Sequence, residues 1–271
     1  MVEIQILEKS DDYMRFIVSG VNVPFVNALR RIMITEIPTM AIDEVVFLEN
    51  SSILNDQILA HRMGLIPIKT DLDSYSLPEE CKCESEFGCS LCRANLTLEA
   101  EADEKSMTVY SGELKPENPD IAPVSDKIPI VKLAPDQRLK FEAYAHLGKG
   151  VKHAKWQPVS MCTYMHLPEV KIDPKQCNVC GECVKVCPEH IFVKSPDGIK
   201  TQNELQCTVC MDCVDACPQN PKAVNVTWDK NAFIFKIEST GALPVERIVL
   251  EAVKILENKV KDFSNQLKKG K

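Results

Sequence analysis

The sequence predicts an α+β protein in which one discontinuous domain is interrupted by two insertions. Three observations lead there. Each end of the 271-residue chain joins alternating, strand-like segments to an amphipathic helical segment. The middle alternates apolar and polar residues with one short helical stretch, a mainly-β pattern. Ahead of the C-terminal segments stand two copies of C-x2-C-x2-C-x3-C-P, beginning at Cys177 and Cys207.

Taken in order, "VEIQILEK" and "YMRFIVSG" read as two strands around an "SDD" turn. "NVPFVNALRRIMITEIP" reads as a helix. Asn22 caps it, Pro24 suits its first turn and Pro38 ends the segment. Phe25, Leu29, Ile32 and Met33 form its apolar stripe. "IDEVVFLENSSIL" is a strand, and Asn55 to about Met63 is a short helix stopped by Gly64. Lys69 to Cys92 is a long loop. "RANLTLEAEADEKSMTVYSGEL" predicts a hairpin about "ADEKS", and "PENPDIAPVSDKIP" a proline-rich loop. "KIPIVKLAPDQRLKFEAYAHLGKG" supplies two strands and a glycine turn, and "VSMCTYMHLPEV" another strand. Beyond the cysteine runs, "AVNVTWDKNAFIFKIESTG" predicts a hairpin turning at "DKN". A helix from Val245 to Leu267, roughly 35 Å long, then carries a stripe of Val249, Ala252, Val253, Leu256, Val260, Phe263 and Leu267. That stripe is longer than the neighbouring elements can cover, so it invites a partner. The boundaries expected are 1–40 with 224–271 for the discontinuous domain, 41–170 for a mainly-β insertion and 171–223 for the cysteine-rich one.

Composition narrows the function. A net charge of −7 disfavours a surface built to grip phosphates, so direct contact with nucleic acid is not expected. The N-terminus lacks the basic start and apolar run of a signal peptide, and no stretch has the roughly 18 apolar residues of a membrane span. A cytoplasmic protein without membrane contact is expected. There the 13 cysteines should be reduced thiols or metal ligands rather than disulfides. They divide into eight, four and one.

The doubled run has the spacing of a two-cluster ferredoxin, in which the last cysteine of each run crosses to the other cluster. Cys177, Cys180, Cys183 and Cys217 then hold one [4Fe–4S] cluster, and Cys207, Cys210, Cys213 and Cys187 the other. A zinc site or plain thiols are the blander alternatives. From Lys171 to Lys222 six Lys face seven Asp plus Glu. So neutral a segment does not suggest a charged docking face, and a structural role suits it as well as electron transfer. Cys81, Cys83, Cys89 and Cys92, spaced C-x-C-x5-C-x2-C, suit tetrahedral zinc, with metal-free thiols as the alternative. Cys162 reads as a buried small hydrophobe. The histidines (His61, His146, His153, His166, His190) are scattered without a nucleophile signature. "GKG" is too short for a phosphate loop, and "HAKW" reads as a packed turn. No catalytic residue is assigned.

"NALRRIMITEIPTMAIDEV", "LAHRMGLIPI" and "GKGVKHAKWQPV" resemble the alpha-like family of DNA-directed RNA polymerase assembly subunits, over essentially the whole chain. With the ferredoxin-like insert, the resemblance is to the archaeal branch of that family. It implies an alpha-like dimerisation domain built from the chain's two ends. It also implies a heterodimer with subunit L, docking of subunits N and P and of the large catalytic subunits, and no substrate contact by this chain. The Cys81–Cys92 loop resembles the zinc loop of the eukaryotic counterpart. The full set of eight cysteines implies two clusters, structural or regulatory. The rival expectation, resting on the cysteine runs alone, is an iron–sulfur electron-transfer subunit of an oxidoreductase.

Overall fold

The structure, a computed structural model, describes residues 1–83, 85 and 88–269 and is a mixed α+β protein. Its strands and helices are, in chain order, β1 (Glu3–Lys9), β2 (Tyr13–Ser19), α1 (Val23–Thr35), β3 (Pro38–Asn50), α2 (Asp56–Gly64), β4 (Ala94–Glu101), β5 (Met107–Tyr110), β6 (Lys115–Pro116), β7 (Pro129–Leu133), β8 (Arg138–Lys149), β9 (Val159–Ile172), α3 (Glu182–Val186), β10 (Phe192–Ser195), β11 (Gly198–Thr201), α4 (Asp212–Asp215), β12 (Val224–Ser239) and α5 (Val245–Lys269). They fall into two compact units. One comprises Met1–Glu8, Arg15–Val26 and Thr163–Lys236, the other Lys9–Met14, Asn27–Cys162 and Ile237–Lys271.

The first unit holds most of a four-stranded sheet in the order β1-β2-β12-β9. Phe16 stacks on Phe235 at 5.2 Å, and Tyr164 meets Phe233 edge-on at 5.9 Å, so aromatic contacts fasten β2, β12 and β9 together. The expected hairpin at "DKN" is not formed: β12 is one strand of 16 residues. Its polar middle, Thr227 to Asn231, lies exposed, so the strand carries these residues at no burial cost. The Asp229 carboxylate accepts the Asn231 N–H at 2.8 Å, which consumes locally the hydrogen bond a turn would have used. The start of α1 is as expected, with Asn22 Oδ1 accepting the Phe25 N–H at 3.1 Å. Its buried face agrees in part: Ile32 and Met33 are buried as expected, but Val26 is buried in place of Phe25, which is exposed.

The second unit is built on an antiparallel sheet ordered β3-β8-β4-β6. β4 alternates strictly between buried and exposed residues. Its register sets Leu98 opposite Phe141 and Leu96 opposite Ala143, so both strands turn one apolar row to the core. That row packs with Leu59 and Met63 of α2, a helix capped by Asn55, whose side chain accepts the Ile58 N–H at 2.9 Å. In β3 the buried parity changes: Met40 and Ile42 face inward, then Val45 and Phe47 pack against the same core. A register shift between Ile42 and Glu44 produces the change, since one extra residue reverses every later side chain. The hairpin expected at "ADEKS" is also absent. β4 pairs with β8 and β6, whereas β5 pairs with β7 in a separate two-stranded sheet. The "ADEKS" connection is diverted because buried Ala102 donates its N–H to Gln137 O at 2.9 Å and accepts that of Asp136 at 2.7 Å.

After β8 the "GKG" and "HAKW" segments make a packed turn. A Cβ on Gly148 would lie 2.3 Å from Trp156 Cε2, so only glycine lets the indole close over the strand. Lys155 Nζ sits over that ring, 4.3 Å from its centre, and pairs closely with Asp43. His146 Nε2 lies 2.9 Å from the other Asp43 oxygen. Burial pushes the Asp43 carboxyl up, but the hydrogen bonds from Lys155 and His146 outweigh it and hold it below its usual value. This cluster leaves no mark in the sequence, since its members come from β3, β8 and the turn.

α5 begins in the second unit with Val245, Ile248 and Ala252 buried. Towards its end Val260, Phe263 and Leu267 are 62%, 64% and 60% exposed, so the apolar stripe outruns its cover. Glu246 in the first turn and Lys268 and Lys269 in the last complement the helix dipole.

Two outcomes follow from the turn. Gly148→Ala should cost about 1–3 kcal/mol through overpacking. It should shift the emission of Trp156 in a Trp228→Phe background, both read by urea unfolding with fluorescence. Asp43→Asn should cost about 1 kcal/mol or less at pH 7, the pair being partly exposed. A lowered folded pKa stabilises above the unfolded value of about 3.9 and is lost as pH falls through the folded one. The variant's stability should therefore converge on the parent's in acid, in unfolding curves taken from pH 7 to pH 3.

Candidate metal centres

Four cysteines of the second unit converge in the loop ahead of β4. Cys81 Sγ lies 3.7 Å from Cys89 Sγ, and Cys92 Sγ lies 3.9 Å from both Cys83 Sγ and Cys89 Sγ. All four sulfurs lie within 4.8 Å of one another, an arrangement that can hold a metal ion. A tetrahedron with bonds of about 2.3 Å has edges of about 3.8 Å, the dimension found here. Local backbone bonds set the geometry. The Cys92 and Arg93 N–H groups both reach Cys89 O, at 3.0 and 2.9 Å, and Cys81 N–H reaches Leu77 O at 3.0 Å. Gly88 has φ +78°, which a side chain would strain, and its open side faces Cys92 Sγ. Ser76 N–H donates to Leu91 O at 2.8 Å and ties the loop to the chain before it. Cys92 is buried, and burial pushes its bare thiol up to about 12, whereas Cys83 is exposed at the rim. Binding must therefore displace protons.

The eight cysteines of the doubled run lie in the first unit. They gather around two small cavities. Cys177, Cys180, Cys183 and Cys217 line one, here the Cys217 centre. Cys187, Cys207, Cys210 and Cys213 line the other, the Cys187 centre. Each centre thus takes three cysteines from one run and the fourth from the other. The cysteines share a small core with Val170, Ile191, Phe192, Ile199, Val224 and Val226. The second cysteine of each run, Cys180 or Cys210, is the exposed one.

The backbone of both runs is strained in the same way. Val179 (φ 56°) and Val209 (φ 57°) occupy the left-handed region at equivalent positions, as do Gly181 (φ 84°) and Met211 (φ 72°). For a β-branched valine this is a genuine outlier that surrounding structure must enforce. Left-handed residues within a tight turn aim successive N–H groups into one concavity, an anion nest of the kind found at iron–sulfur sites. Burial raises the Cys183 and Cys207 thiols and takes Cys213 up to about 11. Cys217 differs: burial raises it, but backbone N–H groups of Gln219, Ala223 and Val224 outweigh this and leave it below its ordinary value. An all-thiol donor set, amide nests and a cavity at each centre fit a thiolate-bound cluster.

Residue identity and spacing single out every one of these cysteines. They do not reveal the strained valines, the amides around Cys217, or Lys222 and Glu189 beside the cavities, because each depends on backbone path. Cys162 is buried in β9 with its thiol pushed up to about 12 by burial, in keeping with an inert apolar role. Two of the histidines take capping or packing roles: His153 accepts the Lys155 N–H at 3.1 Å, and His166 lies 4.7 Å from the Phe233 ring. Among the described residues no helix is long and apolar enough to cross a membrane.

Comparison with known proteins agrees with this architecture. The family described as the RNA polymerase Rpb3/Rpb11 dimerisation domain matches residues 15–260. The chain is 42% identical over 264 residues to "DNA-directed RNA polymerase subunit Rpo3" of Archaeoglobus fulgidus, covering 97% of each. Against the protein of the same description from Methanothermobacter thermautotrophicus, identity is 42% over 261 residues, covering 95% of this chain and 96% of the relative. Against that of Pyrococcus furiosus it is 39% over 279 residues, covering 99% and 98%. The chain belongs to the RNA polymerase Rpb3/Rpb11 dimerisation-domain family, alongside these Rpo3 subunits.

Proposed function

We infer that this chain is a non-catalytic assembly subunit of DNA-directed RNA polymerase, enzymatic only as part of that complex. The observation that carries the reading is the dimerisation-domain match over residues 15–260. The bare apolar end of α5 supports it, since Val260, Phe263 and Leu267 stand exposed where a dimerising partner would cover them.

We propose further that residues 1–40 and 224–271 form the dimerisation domain, 41–170 an inserted mainly-β domain and 171–223 an inserted ferredoxin-like domain. The partner across α5 is the small subunit L. Subunits N and P and the large catalytic subunits dock on the resulting heterodimer. The Cys217 and Cys187 centres each bind one [4Fe–4S] cluster, and Cys81, Cys83, Cys89 and Cys92 bind one zinc ion. The clusters order a segment whose own apolar core is small. They act structurally or as a regulatory device in assembly, and the zinc braces the loop ahead of β4.

Two experiments test this. Phe263→Asp should leave the unfolding midpoint of the isolated chain unchanged, its side chain being exposed. It should weaken co-purification with subunit L at least tenfold, by burying an unpaired carboxylate in the interface. Unaltered pairing would place the interface elsewhere. Serine at all eight cysteines of the doubled run should abolish iron and sulfide in anaerobically purified protein. It should leave zinc at one per chain, keep subunit L bound and reduce assembled polymerase in the cell. Undiminished assembly would remove the clusters from the pathway. Recovery of the chain with a flavin or molybdenum enzyme instead of polymerase subunits would support an electron-transfer role.

A further inference from the structure

The two cysteine centres are chemically unequal, although their ligands are pseudo-symmetric. At the Cys217 centre three backbone N–H groups, of Gln219, Ala223 and Val224, converge on one sulfur. Lys222 is held beside it, donating from Nζ to Cys217 O at 2.6 Å and Asp215 O at 3.2 Å. Lys185, which acts on Cys180 of the same centre, is paired with Glu182 at 2.7 Å, so that its charge is nearly cancelled. The Cys187 centre has the opposite character. Glu189 lines its cavity and acts on Cys207, to which Val209 offers a backbone N–H.

When one electron from a low-potential reductant enters a thiolate-bound [4Fe–4S] core, no ligand bond is made or broken. The change is one added negative charge in a fixed cage. Amide donors and a cation favour that charge, while a carboxylate opposes it. We propose that Lys222 and the amides around Cys217 hold the cluster of the Cys217 centre at a higher reduction potential than that of the Cys187 centre, so that the first electron settles on one identified cluster. This rests on the two-cluster reading above.

The test is a redox titration of the full chain, purified anaerobically, followed by electron paramagnetic resonance, with iron and sulfide measured on every sample. The wild type should show two separate midpoints. Lys222→Met should lower the higher midpoint and leave the other in place, and Lys222→Arg should restore it. Glu189→Gln, at an exposed side chain, should raise only the lower midpoint, which keeps the second arm independent of Lys222. Added salt should narrow the gap without closing it, because it screens the exposed Lys222 and Glu189 and not the amides. Full iron with one shared midpoint overturns this inference alone, as does a Lys222→Met shift of both midpoints or neither. Protein without iron and sulfide overturns the two-cluster reading as well.

Discussion

The constraint on which this architecture depends is a pair of neighbouring strands that serve two structures at once. β9 leads into the cysteine segment and β12 leads out of it, and the two are adjacent in the four-stranded sheet. Asp173 N–H donates to Ala223 O at 2.8 Å and closes the neck between them. Val170 of β9 and Val224 and Val226 of β12 belong to the small core around the cysteines. Further along β12, Phe233 and Phe235 lie wholly inside the sheet's own packing. The cysteine segment is therefore continuous in its hydrogen bonding with the sheet, and no loose linker separates them. Arg15 adds a second tie, donating from Nη2 of β2 to Leu205 O at 2.7 Å, two residues before Cys207.

The unit containing β3, β8 and β4 meets a different demand, that of presenting one apolar row from strands remote in sequence. It does so by register. The shift in β3 reverses its parity midway, and the glycine at position 148 lets Trp156 close the end of β8. The Asp43, His146 and Lys155 group then fixes the turn to β3. Three different devices, a bulge, a missing side chain and a charge cluster, all hold that sheet in place.

The parts of the fold legible in the sequence were those governed by neighbouring residues. Asn22 and Asn55 signal their helix starts because a cap is a bond across three residues. The period of β4 and the stripe of α5 are likewise local. Pairing across longer stretches is not: the hairpin about "SDD" forms between β1 and β2, while those expected at "ADEKS" and "DKN" do not. Alternation in "ANLTLEAE" identifies a strand without saying that β8, forty residues later, is its partner. "DKN" has turn chemistry, yet exposure in mid-strand makes the same residues acceptable in β12. Phe25 illustrates a further limit, since a helical stripe gives the period while the buried sector of α1 rotates onto Val26. For the candidate metal centres the cysteines were plain from their spacing. Their surroundings were hidden, because an amide or a lysine comes to lie beside a sulfur only where the chain carries it.

The exposure of Cys180 and Cys210 has a consequence of its own. They occupy the same place in their respective runs, and the sulfurs deeper in each cavity are shielded by apolar neighbours. An oxidant diffusing up from solvent thus encounters an equivalent corner of either centre. With clusters bound as proposed, injury by air should begin at matching cysteines of the two runs.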